Sequence, residues 1–278
     1  MEKRRMCPNC RAFISMSDRV CPYCHVQLGP RAIDIRPSQL AASFVPRGNQ
    51  TAIVILLINV AFFIAELVLS YHFTRSMEIS GQVGILLGAK YGPFIRAGQW
   101  WRLITAGFLH GGFMHIFMNG WAIIILVTEV EQFYGTSRLI VAYIFSTITG
   151  FYLSYVWAPF SLSLGASAAC FGLFGIMLAM GVRQRADPLV QAVRAYYMQW
   201  LIIGLVLSLM PGVDLAAHIG GLIGGFIIGV LAGLPGLPGS PRETLWNTLA
   251  WVAVAITIYA FARDFLFYPE LVRRLTST

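Results

Sequence analysis

The chain has 278 residues, 57% of them hydrophobic and only 12% charged. Soluble domains carry about 25% charged and about 45–50% apolar residues, so the composition excludes an ordinary soluble domain and points to an all-α polytopic membrane protein. The net charge of +8 does not make it a nucleic-acid binder, because its basic residues are distributed by side of a bilayer rather than in one stripe.

In chain order, the first feature is a pair of C-x-x-C turns, CPNC (7–10) and CPYC (21–24). Two such turns joined by a short hairpin can close a tetrahedral Cys₄ site, the layout of a zinc ribbon. Residues 1–28 are therefore expected to be a small module folded around structural zinc through Cys7, Cys10, Cys21 and Cys24. A unit this short has almost no core of its own, so the metal would fold it. Disulfides suit a reducing cytoplasm poorly, a redox dithiol would need only one pair, and His25 is a bystander beside four thiols. A cytoplasmic partner for the ribbon is the natural guess for its purpose. Residues 29–50, with Pro30, Pro37, Pro46 and Gly48, read as a linker, and 51–278 as the membrane domain. No cleavable signal peptide is expected, since the first fifty residues are polar and basic.

Seven apolar runs are candidate spans: 51–70, 103–127, 138–158, 164–182, 196–210, 215–234 and 245–262. The fifth is short and is expected to place Tyr196, Tyr197 and Trp200 at its interfacial end. The segment 71–102, broken by glycines and rich in aromatics, reads as an interfacial element rather than a soluble domain. With the N-terminus inside, thirteen of the 20 Lys and Arg are cytoplasmic: eight before Ala52, then Arg138, Arg183, Arg185, Arg194 and Arg242. The positive-inside rule thus favours a cytoplasmic N-terminus in a cell membrane and a C-terminus outside.

Polar groups inside spans are costly and are functional candidates by default. Here they are His110, His115 and Asn119 in HGGFMHIFMNG, Ser167 in GASAACFG, and His218 in AAHIGGLIGG. All lie on the second, fourth and sixth spans, which would enter from the same, outer side. A serine needs a base to become a nucleophile, and histidine titrates in the right range. The oxyanion that follows needs aimed donors, which the Ser167 N–H, His115 and Asn119 can supply. Gly165, Ala166 and Ala168 would leave room for a substrate backbone, and Gly221 and Gly225 form a G-x-x-x-G that lets the sixth span press on a neighbour. Alone, each polar residue is more often a packing group; the joint occurrence is what argues for chemistry. Asp214 reads as the N-cap of the sixth span rather than a triad member. Cys170 reads as packing, and Glu66 has no assigned role.

With these residues in hand, the chain resembles the rhomboid family of intramembrane serine proteases over roughly 51–262. WWR (100–102) resembles the family's W-R element, and His110, His115 and Asn119 its H-x₄-H-x₃-N helix. Glu131, Gly135 and Arg138 match E-x₃-G-x₂-R, Ser167 stands in G-x-S-G, and Ala217–Gly221 reads A-H-x-G-G. The resemblance implies a six-helix core plus one C-terminal span, a catalytic dyad of Ser167 and His218, an oxyanion region at His115 and Asn119, and an aromatic partner for the histidine at Phe171. One position departs: Ala168 stands where the family usually has glycine. The implied activity is cleavage of membrane-anchored protein substrates near the outer face, within the lipid bilayer and with no cofactor for catalysis. Two alternatives remain at this stage: a catalytically silent relative that binds transmembrane helices, and a small-solute channel.

Overall fold

A two-stranded hairpin opens the computed structural model, which describes residues 4–7, 9–15, 18, 20–27, 50–237 and 239–276. The chain divides into two compact units, Met1–Arg47 and Gly48–Thr278. The expected linker, 29–50, lies outside the described residues apart from Gln50.

In the first unit, β1 (Arg4–Met6) pairs antiparallel with β2 (Phe13–Ser15), Met6 opposite Phe13. The two C-x-x-C turns have the same backbone. The Arg11 N–H donates to the Cys7 carbonyl at 3.0 Å, and the His25 N–H donates to the Cys21 carbonyl at 2.9 Å. Arg11 and His25, each directly after the second cysteine of its pair, both take the left-handed conformation, with φ of 57° and 54°. Among the described residues of this unit, Cys7, Ile14 and Cys21 are buried.

The second unit begins with α1 (Gln50–Thr74). Ala52, Asn59, Phe63, Glu66 and Ser70 are its buried residues, a stripe at helical spacing. Val54, Leu57, Ile64 and Val68 are exposed. This inverts a soluble helix: polar groups face protein and apolar ones face outward, as expected where the surroundings are lipid. The segment after α1 is built and not floppy. It contains α2 (Gly81–Leu86), α3 (Gly92–Arg96) and α4 (Arg102–Thr105). The buried Arg102 holds them together, donating from Nη1 to the carbonyls of Ile85 and Ala89 at 2.8 and 2.9 Å and from Nε to Gln99 at 2.7 Å. The buried Lys90 ammonium donates to the Ala158 and Ser161 carbonyls at 2.9 and 3.0 Å, fixing the same segment to the chain just before Ser167.

The expected second span does not start at 103. Residues 102–108 form α4 and a 3-10 turn, and α5 (Phe113–Trp157) begins only after Gly111 and Gly112 interrupt the backbone. Asn119 is therefore about two turns into its helix, not deep in it. α5 runs 45 residues, yet Gly135 has φ 75° and ψ 162° and reverses the chain. The reversal is visible in what the two limbs touch. Gly165, just before α6 (Ser167–Arg183), lies beside His115 on the first limb, and Ala168 in the first turn of α6 lies beside Gly150 on the second. Tyr134, next to the reversal, instead donates to the Ile176 carbonyl far along α6 at 3.1 Å. The E-x₃-G-x₂-R residues shape this turn. Glu131 accepts from Thr51 and Thr136 at 2.6 Å each, and Arg138 makes a two-pronged pair with Glu243 at 2.6 and 2.7 Å.

α7 (Pro188–Leu207), α8 (Leu215–Ala232) and α9 (Pro241–Thr276) complete the unit. Tyr197 corrects an expectation. It is buried and donates to Glu129, whereas Tyr196 and Trp200 stay half-exposed. Its hydroxyl has found a carboxylate inside the protein, a stronger partner than an interface offers. Among the described residues, five helices are long and apolar enough to cross a membrane, α5 being one of them, and α6 is a shorter apolar helix. α6 is the most enclosed, with nearly every residue from Ala168 to Gly181 buried. α8 reaches it through glycines: a Cβ on Gly221 or Gly225 would run into the Ala168 or Gly172 carbonyl. That close approach is the G-x-x-x-G packing expected from the sequence.

Candidate active site

The contact between α6 and α8 sets the central distance. Ser167 is the first residue of α6, and His218 lies in the first turn of α8, whose N-cap is Asp214. His218 Nε2 is 2.8 Å from Ser167 Oγ. Asp214 accepts from the Ala217 N–H at 3.0 Å and from the Ser154 hydroxyl. It serves as the cap expected from the sequence: its backbone carbonyl accepts from the His218 N–H at 3.2 Å, while its carboxylate is taken up by Ala217 and Ser154 rather than by the His218 ring. The ring of Phe171, one turn beyond Ser167 on α6, is stacked on the His218 imidazole.

The first limb of α5 supplies donors to the same place. Gly165, at φ 132°, leaves no room for a side chain: a Cβ there would lie 2.6 Å from His115 Nε2 and 3.6 Å from Asn119 Nδ2. The Gly111 N–H donates to His115 Nδ1 at 3.3 Å. That bond makes Nδ1 an acceptor, so the imidazole proton sits on Nε2, the nitrogen facing Gly165. Asn119 Nδ2 is buried without a partner among the described residues. As the first residue of its helix, Ser167 also has a backbone N–H that no carbonyl of its own helix can take. Two side-chain donors thus lie beside Gly165, two residues before Ser167, whose own N–H is a third donor on the same stretch of chain.

His110 is fully buried, with its backbone N–H on Glu66 Oε2 at 2.9 Å and its ring edge-on to His115, centroids 5.1 Å apart. Glu66 thereby acquires a contact that the sequence did not suggest. Ala168 is fully buried, and its methyl faces Gly150, where a Cβ would lie 2.8 Å away. Its small size serves helix packing here. One neighbour escaped the sequence reading altogether. Ser208, the C-cap of α7, places its Oγ 2.6 Å from His218 Nδ1. A lone serine in LVLSLM carries no signal by itself; only its spacing to His218 in space marks it.

The second candidate site lies in the N-terminal unit. The sulfurs of Cys7, Cys10, Cys21 and Cys24 all lie within 4.8 Å of one another, with Cys7–Cys24 at 3.7 Å and Cys10–Cys21 at 3.6 Å. A tetrahedral thiolate site with metal–sulfur bonds of about 2.3 Å has sulfur–sulfur edges of about 3.8 Å, so the donor set fits such an ion. The thiols differ in acidity. The Cys10 N–H favours the thiolate of Cys7 and lowers its pKa, and the Val26 N–H brings Cys24 down to about 6; the Ala12 N–H favours the Cys10 thiolate too, but burial and the three neighbouring sulfurs push Cys10 up to about 12.

Fold and site together define a polytopic helical membrane protein with a serine–histidine pair at one end of its central helix. Comparison with known proteins gives that class its family. The model of the Rhomboid domain matches residues 97–234. The rhomboid protease GluP of Bacillus subtilis is 33% identical over 198 residues, 69% of this chain and 37% of that protein. Rhomboid-like protease 3 of Toxoplasma gondii is 34% identical over 161 residues, 57% of this chain and 61% of that protein. YdcA of Bacillus subtilis is 34% identical over 143 residues, 51% of this chain and 71% of that protein. The chain belongs to the rhomboid family. It spans less than two thirds of the length of the first two of these relatives.

Proposed function

We propose that this protein is an intramembrane serine endopeptidase in which Ser167 is the nucleophile and His218 its base. The observation that carries the reading is the 2.8 Å contact between His218 Nε2 and Ser167 Oγ beside two inward-facing side-chain donors. The steps follow from the atoms present. Nε2 takes the Ser167 proton as Oγ attacks the scissile carbonyl carbon. The oxyanion accepts from the Ser167 N–H, His115 Nε2–H and Asn119 Nδ2–H. The imidazolium then protonates the leaving amine, and the C–N bond breaks to leave an acyl-serine. Water, deprotonated by the same imidazole, attacks that ester, and the imidazolium returns the proton to Ser167 Oγ as the C–O bond breaks and the new carboxyl end leaves. His110 and Phe171 support His115 and His218 respectively.

Substrates on this reading are membrane-anchored proteins whose cleavage site reaches the N-terminal ends of α6 and α8. Counting the two limbs of α5 and the short α6 separately, the chain crosses the bilayer seven times. The positive-inside bias then puts the N-terminus in the cytoplasm and the site near the outer face of a cell membrane. The four N-terminal cysteines hold one structural zinc, which supplies folding energy to its own unit and takes no part in the reaction. The deciding experiment is labelling by a fluorophosphonate probe. Wild type should label and Ser167→Ala should not. An unlabelled, well-folded wild type would instead favour a silent relative that only binds transmembrane helices.

A further inference from the structure

Ser208 Oγ has two close partners. It donates to the Gly204 carbonyl at 2.6 Å and lies 2.6 Å from His218 Nδ1. A hydroxyl has one proton and two lone pairs, and a carbonyl has no proton to give. With the Ser208 proton committed to Gly204, Oγ meets Nδ1 with a lone pair, and Nδ1 satisfies the contact only as an N–H. A neutral imidazole protonated at Nδ1 has its free lone pair on Nε2, which faces Ser167. The other tautomer would press two acceptors, the Gly204 oxygen and Nδ1, against a single proton.

We infer that Ser208 is a positioning residue that holds His218 in the Nδ1–H tautomer, so that Nε2 is always free to take the Ser167 proton. The inference rests on the dyad reading above and extends it. The serine occupies the place that a carboxylate fills in a Ser-His-Asp triad, a place Asp214 leaves open because it caps α8 and bonds Ser154. It also serves the charged intermediate. When His218 becomes an imidazolium, its Nδ1–H points through the Ser208 hydroxyl to the Gly204 carbonyl. Gly204 lies in the last turn of α7, the negative end of that helix's dipole.

The test uses the full chain in lipid bilayers with a membrane-anchored reporter. Ser208→Ala should lower kcat about tenfold, the order expected for loss of one orienting hydrogen bond, with KM changed less than about threefold. Ser208→Thr, which keeps the hydroxyl, should recover most of the rate. Ser208→Val, of the same shape without it, should not. An unchanged kcat in Ser208→Ala, or equal rates for the threonine and valine variants, would overturn the proposal. Nitrogen-15 spectra of histidine-labelled wild type, with His218→Gln for assignment, give a second readout that needs no cleavage and no substitution at Ser208. His218 protonated at Nε2 instead of Nδ1 would refute the tautomer directly. Failure of the dyad reading is separately visible, as cleavage that survives Ser167→Ala.

Discussion

The imidazole of His218 lies face to face with the ring of Phe171, their centroids 4.1 Å apart and their planes 10° apart. With Ser208 at Nδ1 and Ser167 at Nε2, the stack fixes the third degree of freedom of the base, its tilt. Phe171 is itself held from behind, since a Cβ on Gly204 would come 3.0 Å from its Cζ. Phe171→Tyr keeps the aromatic face and should cleave at close to the wild-type rate. Phe171→Ala should lower kcat by up to about a hundredfold, the order expected when a reacting group drifts by about 1 Å. Steady-state kinetics on one reporter decide it. Equal rates for the two variants would mean that the edges of the ring alone hold it.

Nucleophile and base act as a unit, so their losses should not add. Ser167→Ala, His218→Ala and the double variant should all bring reporter cleavage near background, at normal expression. A double variant much slower than either single one would separate the two residues and break the dyad.

The oxyanion donors should behave differently, each being one of three. Asn119→Ala should slow cleavage by about 10²–10³, as loss of one such donor does elsewhere, and His115→Ala should fall in the same range. Both should still label with fluorophosphonate, slowly, because Ser167 and His218 remain. Cleavage by Asn119→Ala at the wild-type rate would assign the oxyanion to His115 and the backbone alone.

The polar site residues could be found in the sequence because an apolar helix makes any hydrogen-bonding side chain conspicuous. Ser167, His218, His115 and Asn119 stand out for that reason, and the glycines Gly221 and Gly225 announce a close approach. Ser208 could not be found. A serine within four residues of a helix carbonyl usually bonds it, as Ser208 does with Gly204, and nothing in LVLSLM says that its remaining lone pair meets a histidine. That α5 starts at Phe113 and not at 103 is hidden in the sequence for a related reason. LITAGFL is apolar enough to pass for the start of a span, but residues 102–108 fold as a short helix and a 3-10 turn and Gly111 and Gly112 interrupt the backbone, which hydropathy does not register.

The cysteine cluster makes a prediction independent of cleavage. Metal analysis of protein purified under reducing, chelator-free conditions should find one zinc per chain, and Cys7→Ser should lose most of it. The reaction steps draw nothing from that ion, so Cys7→Ser should keep Ser167 labelling close to wild type. Protein without metal under these conditions would favour a redox role for the thiols.

The small residues around Ser167 provide the sharpest test, because two explanations of Ala168 differ in what they disturb. If its smallness clears a path for substrate, a larger residue blocks large substrates and spares small ones. If it lets helices meet, a larger residue moves the helices and harms everything. The contacts favour the second: the Ala168 methyl faces Gly150, and Gly221 of α8 packs against its carbonyl. Those are the contacts that hold His218 within 2.8 Å of Ser167. Ala168→Val adds two methyl groups and should cost about 1–3 kcal/mol through overpacking, lowering the melting temperature. Gly221→Ala should do the same from the other side. Both should lose reporter cleavage and fluorophosphonate labelling together, since widening the Ser167–His218 distance disables the nucleophile for any electrophile. Ala168→Gly should retain both activities, at a helix-propensity cost of up to about 1 kcal/mol. An Ala168→Val protein that melts like wild type and labels normally, yet no longer cleaves the reporter, would restore the substrate-clearance account.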